Sequence, residues 1–347
     1  MRIVYVTHSY FPFLCAGSTT SYYLLRELSR EHEVVVISPN SSFPVEDEAP
    51  EDSPRAVRVP RVKLPYRVGQ VTQFIYMREA VSAATRDADV TIIHNSVLRP
   101  NLPLARYSRC PVVAWTHDAS PKPCSSSIVR LIERGAFELN RRSVKFVNAF
   151  TAPNECSKDL LRLLGVKEAV IIPNPVPTED FYPSEEERER VREELGVEGP
   201  ALMTVGFVSG AELLARMCNE IGIKLILVGK FKVKGAIVLE KVRNLRALYN
   251  ASDCVIARVS YAPCYECSQP TKALEALATA TPVLAHRGSC DSTLPLSFFS
   301  GRPPLEMIAA LWKVGSLKRF QLREYVVRVH DSKKIAREML RLVREVA

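Results

Sequence analysis

Residues 253–288 place the strongest constraint on the fold. Val255, Ile256 and Val259 form a short apolar run of the kind a buried strand carries. A loop rich in Pro and Cys follows, then Thr271 to Ala280, with Leu274, Leu277 and Ala278 at helical spacing. Thr281-Pro282 ends that helix ahead of a second strand, Val283-Leu284-Ala285. Strand, loop, helix, strand is one βαβ unit, and such units bind ligands at the carboxyl ends of their strands. Glu275 lies one helical turn after Lys272, so both can face the loop. The backbone amides near Thr271, at the helix N-terminus, would add donors for an anion. A phosphate and a hydroxylated sugar could both be held here.

The first forty residues repeat the pattern. Ile3-Val4-Tyr5-Val6 is a strand, and a loop leads to Cys15-Ala16-Gly17-Ser18. A helix then carries Leu24, Leu25 and Leu28 on one face, and Glu33 to Ser38 is the returning strand. Gly17 and Ser18 admit two readings, an ordinary tight turn or a turn whose amides and hydroxyl meet a phosphate. No G-x-G-x-x-G follows the first strand, which argues against a dinucleotide oxidoreductase. Residues 55–67 alternate basic and apolar side chains and are broken by two prolines. They fit an edge strand with solvated arginines better than a surface for anionic lipid or an acceptor phosphate. Asp87-Ala-Asp89 has the form of a metal-binding D-x-D, but it precedes its strand, Asp89 to His94, instead of following it. Pro111 to Asp118 is a further strand whose carboxyl end bears His117 and Asp118.

With 347 residues and 47% hydrophobic content, the chain can bury two cores. No apolar run approaches the ~20 residues a spanning helix needs. The N-terminus reads as a first strand and not as a signal peptide, so a cytoplasmic location is expected. The net charge of +9 suits an anionic partner: a nucleotide sugar, a phospholipid surface, a polyprenyl phosphate or nucleic acid. Nine cysteines, an odd number spread along a long chain, do not form a secreted disulfide framework. Cys264 and Cys267, with His286 and Cys290, have the spacing of a structural zinc site. Buried thiols, a Cys264–Cys267 disulfide and coincidence together outweigh that reading.

Glu275-Ala-Leu-Ala-Thr-Ala-Thr-Pro-Val-Leu-Ala resembles the EAMASGTPVVA segment of family-four retaining glycosyltransferases. Val170 to Val176 with Phe181-Tyr-Pro resembles the segment linking that family's two domains, and His117-Asp118 resembles its His-Asp pair. The resemblance implies an α/β protein of the GT-B fold, two Rossmann-like doubly wound parallel-sheet domains facing across a cleft. An acceptor-side domain would span 1–172 and a donor-binding domain 173–325, with a terminal helix, 326–347, crossing back to the first. The implied reaction moves a hexose from a nucleotide sugar to a hydroxyl acceptor, lipid-linked or saccharide, with retention and without metal or cofactor.

By the same resemblance Glu275 holds the donor ribose and His117 the sugar. Lys272 and the amides near Thr271 hold the diphosphate, Pro270 and Lys272 matching a common form of the loop. Gly17 and Ser18 stand where the family brings a glycine pair close to the diphosphate. Two features depart from the pattern. The family's first glutamate, which contacts the transferred sugar, is replaced by Cys267, with Glu266 one residue early. Its diphosphate-binding arginine and lysine are replaced by Phe207 and Ser209, leaving Lys230 and Lys272 as substitutes. The alternative is therefore a non-catalytic subunit that binds a nucleotide sugar without transferring it. The resemblance implies no nucleic-acid partner, and a location in the cytoplasm or at the inner membrane face.

Overall fold

A computed structural model of the chain describes residues 1–10, 16–39, 51–60, 76–96, 101–118, 127–206, 210–240, 242, 244–258, 266–288, 290–299 and 319–347. It divides into two compact units, Met1–Pro175 with Ser332–Ala347, and Val176–Asp331.

The first unit is built on a seven-stranded sheet. Its strands are β1 (Arg2–Val6), β2 (Glu33–Pro39), β3 (Ala56–Val59), β4 (Val90–Ser96), β5 (Val112–Asp118), β6 (Ala149–Ala152) and β7 (Val170–Ile171). All pairings are parallel, in the order β3-β2-β1-β4-β5-β6-β7. Period-two geometry sends alternate side chains of β1 to opposite faces, and both faces are buried. Ile3 and Tyr5 join one core with Val36, Ile92 and Trp115, whereas Val4 and Val6 join another with Ile37, Met77, Val81 and Ile93. The first core is closed by two helices, α1 (Ala16–Leu28) and the C-terminal Ser332–Val346. Leu24, Leu25 and Leu28 of α1 cluster there with Ile335, Met339 and Val343. The end of the chain thus completes the unit that its beginning starts.

The second unit has six parallel strands in the order β10-β9-β8-β11-β12-β13. They are β8 (Ala201–Val205), β9 (Lys224–Val228), β10 (Ile237–Leu239), β11 (Cys254–Arg258), β12 (Val283–His286) and β13 (Ser297–Phe299). In each sheet the strand order reverses once, at β1/β4 and at β8/β11, and ligands of such sheets sit at the carboxyl ends beside that reversal.

The charged helix Glu185–Glu194 lies on the surface with most of its residues exposed, and Arg190 pairs with Glu194 one turn on at 2.6 Å. It is also anchored to the segment leading into β11, because Arg188 and Arg192 reach Asp253 at 2.6 and 3.3 Å and donate to backbone carbonyls of Asn250 and Ala251. Burial would push the Asp253 carboxyl up, but the Ala201 N–H and these two guanidinium groups outweigh it and hold it below the usual range. Ahead of β5 the chain makes a short 3-10 helix, Leu102–Tyr107, with a proline in its first positions.

Candidate functional site in the second unit

The segment 266–288 folds as strand, loop, helix and strand, and its helix, α2 (Thr271–Ala278), follows Pro270 directly. Every residue of α2 is buried except Lys272, which is half-buried. Glu275 is only 3% exposed, and the Tyr249 hydroxyl donates to its Oε2 at 2.7 Å. A buried carboxylate needs such donors, since leaving it unpaired costs several kcal/mol, roughly, in a medium that solvates it poorly. Tyr249 is itself buried, on the helix Leu245–Ala251, and its backbone carbonyl accepts from Thr281 Oγ1 at 2.9 Å. This tyrosine was not singled out in the sequence, although it precedes the strand by only a few residues.

Lys272 is turned toward β8. Its Nζ donates to the Val205 carbonyl at 2.8 Å and approaches Thr204 Oγ1 at 3.4 Å, while Thr204 Oγ1 donates across to the Ile256 carbonyl of β11. A positive charge is thereby set at the carboxyl end of β8, at the reversal of strand order. Gly206, just past β8, has φ +75°, a left-handed turn that suits glycine. Phe207 and Ser209 lie outside the described residues. Lys230 is exposed, beyond the carboxyl end of the adjacent strand β9.

The loop before α2 is tied down: Gln269 Nε2 donates to Asp291 Oδ2 at 3.0 Å, and the Asp291 amide to the Ser268 carbonyl at 2.8 Å. Glu266 is exposed, whereas Cys267, Pro270 and Thr271 are buried. Cys267 is disulfide-bonded, as is Cys156. His286 Nδ1 lies 2.8 Å from the Arg287 carbonyl, Cys290 is buried, and Cys264 lies outside the described residues. Among the described residues no group of three or more His, Cys, Asp or Glu side chains gathers to hold a metal.

In the first unit Gly17 and Ser18 form the buried first turn of α1. Ser21 Oγ donates to the Gly17 carbonyl at 2.7 Å, and Thr7 Oγ1 to the Ser9 carbonyl at 3.0 Å. His94, fully buried, has Nδ1 at 3.1 Å from both hydroxyl oxygens. Both hydroxyl hydrogens are already committed, so Nδ1 must carry the proton and donate. The imidazole stacks on Trp115 with centroids 5.1 Å apart. His94 therefore braces the turn that presents Gly17, a role the sequence did not reveal. His117 is the penultimate residue of β5, and its side chain is outside the described set.

Residues 17–180 match the family model described as Glycosyltransferase Family 4. That match takes in just under half of the chain. The matched segment covers Gly17 to Pro175 of the first unit and runs just past the division between the units. The whole chain has the GT-B architecture of solved glycosyltransferases. It is similar to HepE of Anabaena in complex with UDP-glucose, with TM-score 0.74 and 14% identity, over 99% of this chain and 100% of that one. It is also similar to sucrose-phosphate synthase of Thermosynechococcus elongatus, with TM-score 0.72 and 16% identity, over 99% and 98%. For WaaG, a glycosyltransferase involved in lipopolysaccharide biosynthesis, the values are 0.71 and 14%, over 98% and 99%. No curated protein matches the chain. The fold is thus that of the GT-B glycosyltransferases.

Proposed function

We propose that the protein transfers a hexose from a nucleoside-diphosphate sugar to a hydroxyl acceptor, lipid-linked or saccharide, with retention and without a metal ion. The observation that carries this reading is the pairing of Lys272 with Glu275 on one helix, the ammonium at the carboxyl end of β8 and the carboxylate one turn further on. A cation and helix N-terminal amides suit the diphosphate, and a carboxylate held by Tyr249 suits a ribose diol. As the acceptor oxygen bonds to the anomeric carbon, the bond from that carbon to the phosphate oxygen breaks and the nucleoside diphosphate departs with the acceptor's proton. Lys272 would stabilise the charge that grows on it, an effect worth about 10²–10³ in rate for one well-placed donor. His117 is assigned to the sugar, Glu266 and Cys267 to the loop beside it, Pro270 and Thr271 to the loop's approach to the phosphates. Gly17, Ser18 and Lys230 would complete the anion's surroundings.

HepE was solved with UDP and with UDP-glucose, which makes uridine the first nucleotide to try. Among the described residues no helix is long and apolar enough to cross a membrane. We place the protein in the cytoplasm or at the inner membrane face, where the net charge of +9 would favour anionic lipid. One observation favours a second reading: Phe207 and Ser209 stand where the resembled family has its arginine and lysine. A subunit that binds nucleotide sugar without transfer would need neither. The test is incubation with a panel of UDP-hexoses and acceptors, following UDP release and the anomeric proton of the product by NMR. Acceptor-dependent release with the donor's anomeric configuration kept supports transfer; binding without release across the panel supports the second reading.

A further inference from the structure

Arg58 does not behave as a solvated arginine on an edge strand. It lies on β3, opposite Ser38 of β2, near the carboxyl ends of both strands. Its guanidinium folds inward, half-buried, and Nη1 donates to Ser38 Oγ at 3.3 Å, the serine being fully buried. Tyr10, past the end of β1 and 1% exposed, is close enough for its hydroxyl and the Arg58 charge to act on each other. Burial lowers the tendency of Arg58 to hold its proton, and the neighbouring phenol offsets this only in part.

Among the described residues no carboxylate pairs with Arg58. The buried Arg26 of the same unit shows the usual arrangement, with Glu27 at 3.4 Å and Asp52 at 3.9 Å. Asp52 also accepts from Tyr22 at 2.7 Å. Among the described residues no carboxylate comes within ion-pair distance of Arg58. A guanidinium drawn out of water toward a serine and a tyrosine has its charge-assisted donors placed for an oxyanion. The location agrees, because all seven strands are parallel and Arg58 stands on the carboxyl edge where such sheets take ligands.

We propose that Arg58, with Ser38 and Tyr10, forms an oxyanion-binding site on the carboxyl edge of the first unit, taking a phosphate or carboxylate borne by the acceptor. Only the word acceptor rests on the transferase reading; the anion site stands on its own geometry.

The test is calorimetry of the full chain with inorganic phosphate and, separately, acetate, each at constant ionic strength and with UDP in excess to occupy the donor site. Wild type is expected to bind one of the two anions. Arg58→Gln, which can keep the bond to Ser38, should weaken that binding at least tenfold, about 1.4 kcal/mol. Arg58→Lys should retain most of it, and UDP affinity should be the same in all three proteins. Should Arg58→Gln fail to fold, Tyr10→Phe and Arg58→Lys carry the comparison, with weaker and near-native binding expected respectively. Equal anion binding by wild type and Arg58→Gln, or no binding of either anion by wild type, would overturn the site. Anion binding without UDP binding would overturn the donor assignment and leave this one standing.

Discussion

Glu275 and Tyr249 are the residues on which the donor assignment can be separated from mere packing. The carboxylate is 3% exposed, so it persists only because donors such as the Tyr249 hydroxyl, 2.7 Å away, replace water. Glu275→Ala should weaken UDP-sugar binding at least tenfold, about 1.4 kcal/mol, by calorimetry. Tyr249→Phe removes one donor to a buried charge and should cost ~1–3 kcal/mol of stability in urea denaturation. It should also weaken UDP-sugar more than it weakens the 2′-deoxyribose analogue, which offers the carboxylate one hydroxyl fewer. Unchanged affinity in Glu275→Ala would remove that residue from the site. Glu275 was legible in the sequence because its motif is contiguous. Tyr249, His94 and Arg58 were not, because each acts through a partner far along the chain, such as Glu275, Ser21 or Ser38.

At the scale of elements, α2 ends under strain. Ala280 has φ +59° and is the one described residue other than glycine in the left-handed region. The family segment that this stretch resembles carries glycine at that place. For an L-residue with a Cβ the conformation costs about 1–2 kcal/mol, partly offset because glycine loses more chain entropy on folding. Ala280→Gly should therefore stabilise the protein by ~0.5–1 kcal/mol in thermal or urea denaturation, and a loss of stability would show that the turn is not strained. The helix Glu185–Glu194 gives a second prediction. Hydrogen bonds from Arg246 hold the Glu187 carboxyl below its usual range, and Asp253 is held low as described above. Folded values below unfolded ones stabilise the protein above the ordinary carboxylate range, and that contribution is lost as pH falls through about 4 toward the lowered values. Asp253→Asn should flatten the stability profile below about pH 5, whereas an unchanged acid limb would exclude this anchor. Charge spacing along the helix could not reveal it, since the pairing carboxylate lies on another element.

For the whole molecule, strand placement was largely readable, because parallel strands buried on both faces leave continuous apolar runs such as Ile3 to Val6 and Val255-Ile256. The closing of the first unit by Ser332–Val346 could not be read from the residues, because an apolar stripe by itself names no partner. The central claim is that a molecule lacking the family's Arg and Lys at 207 and 209 still transfers sugar, with Lys272 as the cation for the departing diphosphate. The measurement that tests it most directly is turnover at saturating donor for wild type, Lys272→Ala and Lys230→Ala, with folding checked by circular dichroism. Lys272 touches β8 at its carboxyl end, whereas Lys230 is exposed beyond β9. The account predicts a fall of about 100-fold for Lys272→Ala and less than about threefold for Lys230→Ala, both folded. Turnover of Lys272→Ala equal to wild type would contradict it.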